Sequence, residues 1–208
     1  MITIVDYGVG NLYSLKSSFS FIGKDVVVSG EKSKVSAAEK IVLPGVGAFA
    51  DAAEKLKNKG LDDVIRIKAA EGTPVLGICL GMQLLFDCSM EFGEHKGLSL
   101  IKGKVVPMKD YIPHGYKIPH IGWNSLNFTG DKHPVFKYVK EGDFVYFVHS
   151  YFAKPENPKD LCATTCYGEK ITAAVSCGNV IGCQFHPEKS GRVGLNILKG
   201  FCEWGENK

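Results

Sequence analysis

Residues 72–86 read GTPVLGICLGMQLLF. A short apolar strand, PVLGI (74–78), runs without a polar break into LGMQLLF (80–86), whose apolar spacing is helical. Cys79 stands at the junction, with Gly77 and Gly81 two residues away on either side. An apolar strand feeding a helix is the repeating half of a parallel sheet covered on both faces. The alternation extends to the N-terminus. ITIVD (2–6), DVVVSG (25–30) and KIVLPG (40–45) read as buried strands. Asn11 suits the N-cap of a helix carrying Leu12, Leu15, Phe19 and Ile22 and ended by Gly23. Residues 48–57 and 61–71 also have helical spacing.

Past residue 100 the pattern changes. KVVPM (104–108), WNSLNF (123–128), DFVYFVHSY (143–151), TAAVSC (172–177) and VIGCQFH (180–186) are closely spaced strands, the last two joined at Gly178-Asn179 as a hairpin. A closing helix, 193–203, carries Leu195, Leu198 and Phe201 on one side. No linker, repeat or low-complexity tract interrupts the chain. The expected fold is α/β: a three-layer sandwich around a mainly parallel central sheet with an added antiparallel sheet, one domain over residues 1–208.

Composition narrows the function classes. A net charge of +3 is too small to argue for nucleic acid or an anionic membrane as partner. No apolar run approaches the ~20 residues of a span, and MITIVDYGVG has neither the basic nor the apolar region of a secretory signal, so a cytoplasmic location is expected. Cysteines stand at 79, 88, 162, 166, 177, 183 and 202. Their odd number and the lack of any C-x-x-C point to reduced thiols, to no metal site, and to most of them serving as small buried hydrophobes. Phe144 and Phe147 read as core.

The strand-to-helix turn around Cys79 is the context of a nucleophile elbow, with Cys in place of Ser. Side chains at 77 and 81 would collide across such a turn, which explains the glycines. The sulfur would project beyond the carboxyl end of the strand, where open α/β sheets bind ligands, and the amide of Leu80 could donate to an oxyanion. An ordinary core thiol is the alternative for this pentapeptide alone. In QFHPEKS (184–190), strand alternation would point His186 and Glu188 the same way, so that the carboxylate orients the imidazole. A surface ion pair is the alternative there. LPGVGAF (43–49) is a Gly-rich turn whose Val46 and Gly47 amides could hold negative charge, and it lacks the lysine of a phosphate loop. Cysteine nucleophile, histidine base, glutamate orienter and oxyanion loop together meet the requirements of acyl transfer.

DYGVGN (6–11), LPGVGAF, GICLGMQLLF (77–86), PHIGWN (119–124), YFVHSY (146–151) and GCQFHPEKS (182–190) occur in this order across almost the whole chain. In this the sequence resembles the class I, triad-type glutamine amidotransferases, with a flavodoxin-like core. The resemblance is nearest to the branch serving histidine biosynthesis. It implies that Cys79 attacks the side-chain amide of glutamine, His186 shuttles the proton and Glu188 holds His186. No cofactor is implied. Gln83 would hold the amino-acid end of the substrate, and His149, Ser150 and Tyr151 would lie along it. The partner implied is a (β/α)8-barrel cyclase, forming a heterodimer, which uses the ammonia to make imidazole glycerol phosphate and AICAR. Asn11, Trp123, Tyr146 and Lys189 would face it, although Trp123 could equally be a half-buried core aromatic and Lys189 a solvated lysine. Glycines on both sides of Val46 suggest a loop that partner binding reorients. The competing readings are the same chemistry feeding a sugar-modifying or pyridoxal phosphate synthase, a γ-glutamyl hydrolase, or a non-catalytic scaffold. Glu91 to Gly97 receives no role.

Overall fold

The computed structural model describes residues 1–205. The first half contains β1 (Ile2–Val5), α1 (Leu12–Phe21), β2 (Val26–Ser29), α2 (Lys32–Ser36), β3 (Lys40–Leu43), α3 (Phe49–Asn58), α4 (Leu61–Ala70), β4 (Val75–Ile78) and α5 (Leu80–Leu84). The second half contains β5 (Phe86–Ser89), β6 (His95–Lys96), β7 (Ile101–Pro107), β8 (His120–Ser125), β9 (Asn127–Phe128), β10 (Phe144–His149) and β11 (Tyr151–Pro155). It closes with β12 (Leu161–Tyr167), β13 (Glu169–Cys177), β14 (Val180–Cys183) and α6 (Gly191–Glu203).

The main sheet has the order β2-β1-β3-β4-β14-β13-β12-β9. Its first five strands are parallel, and β13, β12 and β9 extend it antiparallel. A β8–β10 pair and a four-stranded sheet, β11-β7-β5-β6, lie apart from it. This is the expected α/β class, with the antiparallel strands distributed over the edge of the main sheet and two smaller sheets.

Strand alternation builds the layers. Ile2 and Ile4 point to one face, where Leu15 and Phe19 of α1 meet Ile197, Leu198 and Phe201 of α6. Val5, Ile41 and Leu43 point to the other, beneath Phe49, Ala52 and Leu56 of α3 and Leu61 and Ile65 of α4. β1, β3, β4 and β14 are buried along their whole length, as their unbroken apolar runs require.

Four local expectations are corrected. The helix begun at Leu80 stops at Leu84, because the carbonyls of Leu84 and Leu85 are taken by the amides of Leu98, Leu100 and Ile101, and Phe86 opens β5. DFVYFVHSY breaks at Ser150 into β10 and β11, which pair with β8 and β7 respectively. WNSLNF likewise divides between β8 and β9. Phe144, expected in the core, is 56 % exposed. The short α2, with only Val35 buried, and the strand β12 carried no pattern strong enough to predict. Among the described residues no helix is long and apolar enough to cross a membrane, and no cluster of side chains could hold a metal.

Candidate active site

β4 and β14 are parallel neighbours with Ile78 opposite Cys183. Both leave the sheet at the same end, where the Cys79 amide donates to the Cys183 carbonyl at 2.7 Å. Cys79 has φ 54° and ψ −111°, a left-handed conformation that strains any residue bearing a side chain. Packing enforces it. A Cβ at Gly77 would stand 2.7 Å from the Gly81 carbonyl oxygen and 2.8 Å from Met82 Cα. A Cβ at Gly81 would stand 1.8 Å from the carbonyl oxygen of Leu43. Collision across the turn therefore explains Gly77, whereas Gly81 is demanded by β3, a strand nearly forty residues upstream.

His186 and Glu188 meet by a different route from the one expected. β14 ends at Cys183, and His186, in extended conformation, opens a 3-10 turn over Pro187–Lys189. The turn returns the Glu188 carboxylate to His186, whose Nδ1–H donates to Oε1 at 2.8 Å, with both side chains under 5 % exposed. Ser190 fastens the turn to β10: its hydroxyl accepts from the Tyr146 amide at 2.9 Å and donates to the His186 carbonyl at 2.6 Å. The His186 amide donates to the Tyr146 carbonyl at 2.9 Å. With Nδ1 held by Glu188, Nε2 is left to face the thiol. It is buried, and its contact with sulfur falls short of hydrogen-bond geometry. Burial alone would lower the imidazole pKa; the contacts with Cys79 and Glu188 outweigh it and raise the group to about 9. The shift favours a proton on the imidazole beside the sulfur.

Cys79 and His186 open onto a cleft of ≈ 340 Å³ whose wall includes Val46, Gly47, Gln83, Glu91, Ser150 and Tyr151. His149 also lines it, so all four residues expected along the substrate are present. Leu80 is not on the wall; it opens α5 with its side chain in the core. Larger hollows occur beside Arg66 and beside His133, away from Cys79 and His186.

The loop ahead of α3 is half fixed. The Tyr7 hydroxyl donates to the Pro44 carbonyl at 2.7 Å, and a Cβ on Gly45 would lie 2.8 Å from that hydroxyl. Burial, then the neighbouring Cys79, push Tyr7 well above the usual tyrosine range, so it remains a donor. Gly47 has φ +98° and nothing within 4 Å of its Cβ position. Open space therefore lies at Gly47, whereas Gly45 is packed in.

Two features escaped the sequence reading. Glu91 Oε2 accepts from the Phe49 amide at 2.6 Å, capping α3, whose own N-cap residue, Ala48, offers no side chain. This is the carboxylate on the cleft wall; nothing in a surface turn announces it. Gln83 Nε2 donates to the Tyr151 carbonyl at 3.1 Å and to Gln184 Oε1 at 3.0 Å, so Oε1 is what Gln83 can offer a ligand.

His149 is a brace. Its Nδ1–H donates to the Tyr151 carbonyl at 2.8 Å, so Nε2 accepts from His120 Nδ1–H at 3.1 Å. Burial lowers His149 to about 3 and His120 to about 4. Below the ordinary histidine pKa of ~6.5 the unfolded chain therefore binds protons that the folded chain refuses, and stability falls as pH drops from ~6.5 toward 4. His186, raised, is protonated in both states well below pH ~6.5 and adds no slope there. Urea titrations between about pH 6 and 5 should show the loss, and His149→Asn should remove ~1.4 kcal/mol per pH unit of it. An unchanged slope contradicts the assignment.

Trp123 and Tyr146 are cross-strand partners with ring centroids 6.1 Å apart, and Lys189 Nζ lies 5.8 Å from the Tyr146 ring. Ile121 and Phe144 stand on the same side of β8–β10, giving an exposed apolar face with Trp123. Asn11 caps α1, accepting from the Ser14 amide at 3.4 Å, and borders a small gap beside His186 and Glu188.

The sequence pattern of the family described as "Glutamine amidotransferase class-I" matches residues 3–203. A chain from Sulfurimonas denitrificans named "Imidazole glycerol phosphate synthase subunit HisH" is 48% identical over 205 residues, covering 98% of each chain. One of the same name from Caldanaerobacter subterraneus is 48% identical, again over 98% of each. Among solved structures, "Structure of PurLQS from Thermotoga maritima" superposes with a TM-score of 0.76 at 19% identity, covering 98% of this chain and 97% of that one.

Proposed function

This chain belongs to the class-I glutamine amidotransferase family, and on that premise we propose that it is the glutaminase of an imidazole glycerol phosphate synthase in histidine biosynthesis. The observation that carries the proposal is the meeting of Cys79, His186 and Glu188 at the carboxyl ends of two neighbouring parallel strands, beside a cleft walled by Gln83 and Glu91.

With the Cys79 proton taken up by His186, the sulfur attacks the side-chain amide carbon of glutamine. The oxyanion that forms is held by the Leu80 amide and by an amide of the Val46–Gly47 loop. His186 gives its proton to the departing nitrogen, which leaves as ammonia. It then takes a proton from water, which hydrolyses the γ-glutamyl thioester to glutamate. Glu188 keeps the imidazole in the tautomer and orientation that both steps need. Gln83 Oε1 and the Glu91 carboxylate are two acceptors on one wall, suited to the α-ammonium of the substrate. Ser150 and Tyr151 lie along its backbone.

Ammonia is mostly protonated in neutral water and must reach its acceptor before solvent does. The HisH relatives are subunits of a synthase, which supports a partner cyclase. We assign it as a (β/α)8 barrel in a heterodimer, docked on the face of Trp123, Tyr146, Lys189 and Asn11. The apolar neighbours Ile121 and Phe144 favour this docking over a solvated surface. A cytoplasmic location is part of this reading, and the likeness to subunits of a biosynthetic synthase supports it.

The test is glutamate formation by the chain alone and with the barrel subunit plus its nucleotide substrate. Partner and nucleotide should accelerate hydrolysis by about 10²-fold, the scale of one oxyanion donor moving into place. Glu91→Gln should raise KM roughly tenfold with kcat nearly unchanged. Full activity in the isolated chain removes the loop mechanism; no hydrolysis in either state removes the function.

A further inference from the structure

One buried side chain beside the nucleophile has no part in this mechanism. Gln184 is 0 % exposed and lies between the end of β14 and His186, with its amide fixed to the Ala173 carbonyl at 2.8 Å. Its Nε2 donates to Cys79 Sγ at 3.6 Å, and its Oε1 accepts from Gln83 Nε2 at 3.0 Å. The orientation follows from the network. Gln83 must present its NH₂ to the Tyr151 carbonyl, an acceptor only; Gln184 must then present oxygen to Gln83, and its own NH₂ is left facing sulfur.

We propose that Gln184 is a positioning residue that holds the Cys79 sulfur toward His186 and ties it to the side chain receiving the substrate's amino-acid end. The sulfur has few other restraints. Its thiol reaches the Val148 carbonyl only at 3.9 Å, and the His186 contact lacks hydrogen-bond geometry. A side chain on a left-handed turn at the rim of a cleft needs a third contact to keep one rotamer. The Gln184 N–H supplies it. The same amide, through Gln83, fixes the distance between the nucleophile and the pocket that holds the substrate's far end, the geometry on which attack depends.

The inference rests on the glutaminase reading, and the test separates the two. Gln184→Glu keeps the acceptor for Gln83 and loses the donor to sulfur; Gln184→Met keeps the volume and loses both. Each is assembled with the cyclase subunit, and glutamine kcat, KM and the rate of Cys79 alkylation by iodoacetamide are measured, with Cys79→Ser as the zero. Both variants should lose about 10²-fold in kcat, the scale of an ångström of misplacement. Gln184→Glu should keep KM within about threefold, since its link to Gln83 survives. Alkylation, which needs no glutamine site, should slow in both. A soluble Gln184→Met with kcat within twofold of wild type overturns the proposal while leaving the glutaminase intact. Failure of both variants to fold makes Gln184 a structural residue and overturns it equally. A wild-type synthase that does not hydrolyse glutamine removes the underlying reading instead.

Discussion

Cys79→Ser and His186→Asn are each expected to reduce glutamine hydrolysis by the assembled enzyme about 10³-fold or more. The sulfur is the atom that becomes acylated. Serine offers an oxygen in the same strained turn, but an alcohol is far harder to ionise than a thiol, and the acyl-enzyme stalls before it forms. Removing the imidazole takes away the group placed to protonate the departing nitrogen, and the other histidine on the cleft wall, His149, does not replace it, being held neutral by burial with its Nε2 already accepting from His120. Because sulfur and imidazole act as one unit, the double variant should be little worse than either single one. Glu188→Gln should fall between: the imidazole stays in place but loses the carboxylate at 2.8 Å that holds its tautomer and supports its charge. Electrospray mass spectrometry after reaction with 6-diazo-5-oxo-norleucine should show one adduct on wild type and none on Cys79→Ser. A serine variant that turns over glutamine at the normal rate removes Cys79 from the chemistry.

Gly81→Ala is expected to be the most damaging single methyl group that can be added to this chain. Alanine favours helices over glycine, and position 81 is helical with ordinary dihedrals, so local propensity predicts stabilisation. Tertiary contact reverses the sign. The new Cβ would lie 1.8 Å from the Leu43 carbonyl oxygen and 2.8 Å from the carbon it belongs to. Both are backbone atoms of β3, which is paired on both sides, with β1 and β4, and has no room to withdraw. Relief requires α5 to move outward, and with it the Cys79 turn and the Leu80 amide. We expect a loss of more than about 4 kcal/mol, in the range reserved for overpacking against immovable atoms. In practice this means little soluble protein, or a urea midpoint near zero. A Gly81→Ala protein with wild-type melting and activity shows that α5 does not pack this closely on β3.

The site was visible in part before the fold. Unbroken apolar strands at 2–6, 40–45 and 74–78 could only be a sheet buried on both faces, and the strand-to-helix break at Cys79 could only fall at the sheet's end. Strand alternation predicts that His186 and Glu188 meet, but the 3-10 turn brings them together by another route, through the fixed φ of Pro187 and the Ser190 clamp. Phe144 departs from its expected place because an alternating strand does not say which of its faces is covered; that is settled by what packs on β8–β10.

By itself the sequence determined the α/β class and singled out Cys79, His186 and Glu188, because these depend on spacing of two to four residues, and such spacing is local geometry. Only the tertiary structure decided that Glu91 shares the cleft with Cys79, that Gly81 answers to β3 and that Gln184 points its amide at sulfur. Each is a contact between segments distant in the chain. Such contacts are set by how β3, β4 and β14 lie side by side, and no pattern along the chain encodes them.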